Sequence, residues 1–220
     1  MKNIKPKYKV YFDFDNTITS YDILDEVIKR FAINSEWKIW EKKWAEGKIG
    51  SKECLTQQLK SLRASRMDLM AYLHTIKVDP YFKKILIWLK DKRIPYTIVS
   101  DSFALLIKTI LSNNEIQDVK IICNGLKIVE DRFIPVFPHV HQCRNKCGNC
   151  KKSHLLLDHP ARHQRIYIGD GRSDICPAEN ADIVFAKGTL RNHFSKKRKT
   201  HIPFDNLGEV YRHLKEAKLE

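Results

Sequence analysis

The spacing of apolar residues changes along the chain, and the changes mark out its elements. Val10, Tyr11, Phe12 and Phe14 form a short run rich in β-formers, which predicts a buried strand ending on carboxylates. From residue 21 the period lengthens. Ile23, Leu24, Val27, Ile28 and Phe31 recur at helical spacing over 21–33, and Trp37, Trp40 and Trp44 do so over about 36–44. Ser51 opens a third helix through Leu55, Leu59 and Leu62, and 66–76 reads as a fourth, with no strand pattern between them. After Asp79-Pro80 the texture alternates. An amphipathic helix over 81–92, carrying Phe82, Ile85, Leu86 and Leu89 on one face, stops at Pro95, and a strand over 96–99 follows. Then come a helix over 103–112, a strand over 119–122, and a hairpin over 126–137 turning near Asp131. A helix over 153–158, a strand over 165–168, a helix near 174–180, a strand over 182–185 and a helix near 206–217 complete the pattern.

Strands that alternate with helices imply an α/β fold: a doubly wound, Rossmann-like parallel sheet with helices on both faces. The helical stretch follows the first strand directly, so it reads as an inserted helical cap over 20–76 on a catalytic core of 1–19 and 77–220. In such sheets the ligand sits at the carboxyl ends of the strands, which directs attention to the polar residues there.

Composition narrows the classes. A chain of 220 residues, 43% hydrophobic and 30% charged, can bury a core without covalent staples. Its net charge of +14 favours anionic ligands. The basic residues run along the whole chain, so nucleic acid is not the expected partner. The densest cluster, Lys196-Lys197-Arg198-Lys199, reads as a solvated helix end or loop. No secretory pattern or spanning length is present, and the expected location is the cytoplasm with no membrane contact. The six cysteines then read as free thiols or a metal site rather than disulfides.

Four polar motifs fall at predicted strand ends or just beyond them. Asp13 and Asp15 lie two apart, a spacing that a strand places on one face. Paired carboxylates gain stability by sharing a divalent cation, one can act as a nucleophile and the other as an acid and base. Asn16 and Thr17 begin the turn and offer donors; an Asx-turn with surface acids is the plain alternative. In Gly169-Asp170-Gly171-Arg172-Ser173-Asp174, Asp170 can ligate a metal and Asp174, one helical turn on, can join or support it; a glycine turn with a capping residue would look the same. Ser100, followed by Asp101 and Ser102 before a helix, suggests a phosphate cradle or an ordinary N-cap. Lys152, at a helix start, can neutralise charge on a transferring phosphoryl group.

In that order the motifs resemble the haloacid dehalogenase-like phosphatases over almost the whole chain. The resemblance implies Asp13 as nucleophile, Asp15 as general acid and base, and Ser100 and Lys152 as phosphate ligands. It also implies Mg2+ held by the Asp13 carboxylate, the Asp15 backbone carbonyl and Asp170, with Asp174 in support. The cap is similar to that of the phosphoserine phosphatase subgroup, where Asp22 matches a substrate-contacting acid; it can recognise an amine or simply begin a helix. Cys147-Gly148-Asn149-Cys150-Lys151-Lys152, Phe137-Pro138-His139 and Ala181–Lys187 resemble the methionine-salvage branch, which dephosphorylates 2-hydroxy-3-keto-5-methylthiopentenyl-1-phosphate, and also the phosphoethanolamine/phosphocholine branch. Asn16, where many relatives carry Gly or another residue, departs from a tight match to either. The expected partner is a small phosphorylated metabolite. A phosphotransferase on the same scaffold and a basic nucleic-acid-binding protein are the alternatives.

Two features stay open. His139, His141, Cys143, Cys147 and Cys150 fall close together and can be read as a zinc site or as a cysteine-rich loop packed near the phosphate. Trp37, Trp40 and Trp44 can pack the cap or line a cleft.

Overall fold

The computed structural model describes residues 8–139, 143–157 and 163–217. Seven strands form one sheet in the order β4-β3-β2-β1-β5-β6-β7. These are β1 (Tyr8–Phe12), β2 (Tyr96–Phe103), β3 (Ile121–Val129), β4 (Arg132–Val136), β5 (Gln164–Gly169), β6 (Ile183–Ala186) and β7 (Ile202–Pro203). All neighbours are parallel except the β3–β4 hairpin. β1 is central, and its alternation sorts the two faces. Val10 and Phe12 join the larger core with Ile98, Ile166 and Ile168, while Tyr11 packs opposite with Val99, Tyr167 and Val184.

From β1 the chain builds β2 and β3 to one side, then crosses to β5 on the other. That reversal is the switch point at which doubly wound sheets leave a crevice. The residues after β1 and β5 and the far end of β2 all lie at its mouth.

Four helices stand between β1 and the next core helix: α1 (Ile23–Phe31), α2 (Trp37–Ala45), α3 (Ser51–Lys60) and α4 (Arg66–His74). The chain leaves and re-enters the sheet side by side. Thr19 bridges Val78, and Asp79 N–H donates to the Ile18 carbonyl at 2.8 Å. The segment also rests on the hairpin, where Ala64 N–H donates to the Asp131 carbonyl at 3.1 Å. α5 (Pro80–Asp91) begins with proline in its first turn and the Asp79 carboxylate accepting from Tyr81 N–H at 2.8 Å. The remaining helices are α6 (Ala104–Asn113), α7 (Lys151–Leu156), α8 (Ile175–Ala178), preceded by a 3-10 turn at Arg172–Asp174, α9 (Gly188–Lys196) and α10 (Leu207–Glu216).

The pattern along the chain differs from the structure in three places. The strand over 119–122 and the first half of the hairpin are one strand, β3. It pairs in parallel with β2 through Asn124 and in antiparallel with β4 from Gly125, so two apolar runs share one element. β2 runs on through Ser100 to Phe103, with an irregular register after Val99. α9 and β7 carried no clear periodic signal; Lys196 to Lys199 lie exposed where α9 ends. No helix among the described residues is long and apolar enough to cross a membrane.

Candidate active site

β1 ends at Phe12, so Asp13 and Asp15 stand on the turn beyond the strand rather than on it. Asp13 N–H still donates to the Ile168 carbonyl of β5 at 2.9 Å, which fixes its backbone. Asn16 has a φ of 51°, a left-handed turn that asparagine tolerates. The turn separates the two carboxylates. Asp13 faces inward and is 5% exposed. Burial and the neighbouring Asp174 raise its pKa well above the usual carboxylate range, against the pull of Lys151, and Asp170 adds to the rise. Asp15 instead accepts from Ile23 N–H, the first amide of α1, at 3.0 Å. Burial raises its pKa to about 6, with the Ile23 amide opposing.

The lysine that reaches these carboxylates is Lys151, not Lys152. Lys151 Nζ lies 2.5 Å from Asp13 Oδ1 and 2.7 Å from Asp174 Oδ1, and donates to Ser173 Oγ at 3.2 Å. Burial opposes its charge, but Asp13 and Asp174 outweigh that and hold its pKa well above the usual lysine value. The two lysines are adjacent, and one step along a helix turns a side chain by about 100°. Only the first faces the crevice. Asn149 sets the start of α7 by donating to the Ser100 carbonyl at 2.8 Å and the Ile122 carbonyl at 3.1 Å, and His154 Nε2 pairs with its Oδ1 at 2.7 Å.

Asp170 follows β5. Asn16 Nδ2 donates to its Oδ2 at 2.7 Å and Thr17 Oγ1 to its Oδ1 at 3.1 Å. Both residues expected to face phosphate thus spend their side chains orienting Asp170. Asp174 is fully buried and accepts from Lys151, from Tyr167 Oη at 2.6 Å, and from the amides of Asp170 and Gly171 at 3.0 and 2.9 Å. Burial alone would raise its pKa; Lys151 and these donors together lower it. Carboxylate oxygens of Asp13, Asp170 and Asp174 lie within 4.8 Å of one another. A set of hard oxygen donors with a net negative charge fits Mg2+. Asp174, with its donors already in place, serves the cluster chiefly by holding Lys151 and the Gly169–Gly171 turn.

Ser100 and Ser102 lie near the end of β2, before α6 begins, so the expected helix-start cradle is a strand end instead. Ser100 is buried, and its Oγ accepts from Ser102 N–H at 3.0 Å. Asp101 directs its backbone carbonyl to Asn124 Nδ2 at 2.6 Å.

Above these residues the inserted helices wall one side of a cleft of about 260 Å3. Its helical wall carries Asp22, Asp25, Glu41, Trp44, Cys54 and Gln58. Asp22 caps α1, accepting from Asp25 N–H at 2.9 Å. Glu41 accepts from Gln58 Nε2 at 2.9 Å, and burial together with Asp25 raises its pKa. Trp44 lines the cleft, whereas Trp37 packs against the core. Lys151, Asp25, Glu41 and Arg172 were not singled out from the sequence; for Lys151 alone a signal existed, its place at the start of a helix after Cys150.

Among the described residues the thiols do not assemble a metal centre. Cys143 and Cys147 approach to 3.7 Å, but among the described residues the group able to hold an ion is Asp13, Asp170 and Asp174. His139 meets the ring of His154 edge-on at 5.0 Å, and His141 lies outside the described residues.

Comparison with known proteins adds an independent line. The family described as Putative Phosphatase matches residues 8–202. The 2-hydroxy-3-keto-5-methylthiopentenyl-1-phosphate phosphatase of Brevibacillus brevis is 28% identical over 97% of this chain and 98% of its own length. The enzyme of the same name from Microcystis aeruginosa is 26% identical over 93% of this chain and 96% of its own. A solved phosphoserine phosphatase carrying a phospho-aspartyl intermediate analogue shares the fold, with a TM-score of 0.72 at 18% identity over 95% of this chain and 99% of that one.

Proposed function

This chain belongs to that phosphatase family, and we propose that it is a magnesium-dependent phosphoric monoester hydrolase that forms an aspartyl-phosphate on Asp13. One observation carries the reading: two carboxylates on one turn have different partners, Asp13 paired with the Lys151 ammonium at 2.5 Å and Asp15 accepting the Ile23 amide, with a pKa of about 6. Such a pair divides into nucleophile and proton carrier.

An Asp13 carboxylate oxygen attacks phosphorus while Asp15 passes its proton to the departing alkoxide. Asp15, now a carboxylate, takes a proton from water, and that water attacks the aspartyl-phosphate to free inorganic phosphate and Asp13. Lys151 and Ser100 hold the transferring oxygens, and Asp174 positions Lys151. Asp13, Asp170 and the Asp15 carbonyl hold Mg2+, which when bound offsets repulsion between the nucleophile and the phosphate. The helices of residues 20–76 act as a cap that excludes water.

The names of the relatives support a methylthiopentenyl-phosphate substrate. The acidic wall of Asp22, Asp25 and Glu41 supports a second reading, a substrate with a cationic head such as phosphoethanolamine or phosphocholine. The test is magnesium-dependent phosphate release from p-nitrophenyl phosphate and from a panel of these esters, abolished in Asp13→Asn. Wild-type protein that releases no phosphate from any of them overturns the proposal.

A further inference from the structure

The crevice has a second lobe of opposite charge. Beside the carboxylate cavity lies a hollow of about 450 Å3 that shares Trp44, Ser51, Asp101, Arg172 and Ser173 with it. Its wall carries Lys48, Arg144, Lys146 and Arg172, against one acid, Asp101, among the described lining residues.

This clustering of like charge is held in place by backbone. Gly50 packs so tightly on the Arg144–Lys146 loop that a Cβ there would lie 2.3 Å from the Lys146 carbonyl. Gly148 N–H donates to Ser51 Oγ at 3.0 Å, tying the same loop to the start of α3. Lys146 sits at φ 48°, a left-handed conformation unfavourable for lysine. Arg172 reaches from the 3-10 turn to the Ala45 carbonyl at the end of α2 and lies 5.9 Å from the Trp44 ring. Lys48 shares its charge with Glu46 at 2.6 Å, which leaves Arg144, Lys146 and Arg172 as the main source of field. Cations gathered around a concave surface repel one another, and an anion relieves the repulsion.

We propose that this basic lobe is a second oxyanion site, binding a phosphate group beside the one being cleaved. The phosphate can be free inorganic phosphate or a second phosphate on the substrate. The site rests on the proposed phosphatase reading only in its second role.

The experiment has a binding arm and a kinetic arm. Full-length protein is treated with magnesium and beryllofluoride to block Asp13, then titrated calorimetrically with inorganic phosphate. The expected result is one remaining site, weakened about tenfold or more in an Arg144→Ala/Lys146→Ala double variant. A Lys196→Ala/Lys197→Ala control removes the same charge from the exposed end of α9 and leaves that site intact. Absence of a remaining site, or equal weakening in the control, overturns the proposal. If beryllofluoride does not bind, the nucleophile assignment fails, and the same titration without it still shows whether the Arg144→Ala/Lys146→Ala variant loses one phosphate site.

The kinetic arm compares KM for butyl, hexyl and octyl phosphate with KM for the matching diol bisphosphates. A bisphosphate preference of about tenfold that collapses in the Arg144→Ala/Lys146→Ala variant identifies a substrate phosphate as the occupant. No preference, with the calorimetric site present, identifies free phosphate.

Discussion

The Asp15 carboxylate accepts the backbone N–H of Ile23 at 3.0 Å, so the proposed proton carrier is pinned to the first residue of the inserted helices. An Asp15 pKa of about 6 has a definite consequence. The proton must be present when the leaving group departs. For alkyl phosphates, kcat/KM is therefore expected to fall about tenfold per pH unit once pH rises past about 6. p-Nitrophenyl phosphate, whose leaving group needs no proton, is expected to lack that limb. Each profile is corrected for the second ionisation of its own ester, and a flat corrected ratio from pH 5 to 8 would remove Asp15 from the acid role.

Lys151→Ala leaves Asp13 and Asp174 buried without their cation. The expected cost is about 3–5 kcal/mol in urea unfolding, with loss of most phosphatase activity. Without the cation both carboxylates favour their neutral forms in the fold, which raises their folded pKa values. Their contribution is then greatest at low pH and lost as pH rises, so the deficit shrinks on acidification. Lys152→Ala is expected to stay within about 0.5 kcal/mol of wild type with its turnover retained. The reverse ranking would refute the placement of Lys151.

Asn16→Ala and Thr17→Val each release one oxygen of Asp170. Loss of such supporting donors weakens metal affinity by roughly 10–100-fold. The half-saturating magnesium concentration is expected to rise accordingly, with activity recovering at high magnesium. A fall in activity that excess magnesium does not relieve would argue that these side chains contact the phosphate instead.

Gly169→Ala places a methyl group 2.7 Å from the Asp174 carboxyl carbon. Neither the fully buried Asp174 nor the strand end can move freely, so overpacking of about 1–3 kcal/mol is expected. Displacing Asp174 also slackens Lys151, and activity should fall with stability. Unchanged unfolding and turnover would show that the turn relaxes.

Much of the site was legible because local chemistry carried it. Asp13 and Asp15 stood out as acids closing an apolar run, and Asp170 and Asp174 as acids in a glycine turn after another. Lys151 was not legible beside Lys152, since neighbouring lysines differ only in the direction a helix start points them. Nor were Asp25 and Glu41, ordinary charges on amphipathic helices until the fold turns them toward the crevice. The role of Asn16 was hidden too, because its partner Asp170 lies 154 residues away.

The sequence by itself determined the alternation of strands and helices, the helical insertion after the first strand, and the acids that follow β1 and β5. Those follow from periodicity and residue chemistry, which act over a few neighbours. Only the tertiary structure decided which lysine meets Asp13, what orients Asp170, and how the crevice divides into an acidic and a basic lobe. Burial and Coulomb interactions depend on distance in space, and the sheet brings together residues that the chain holds far apart.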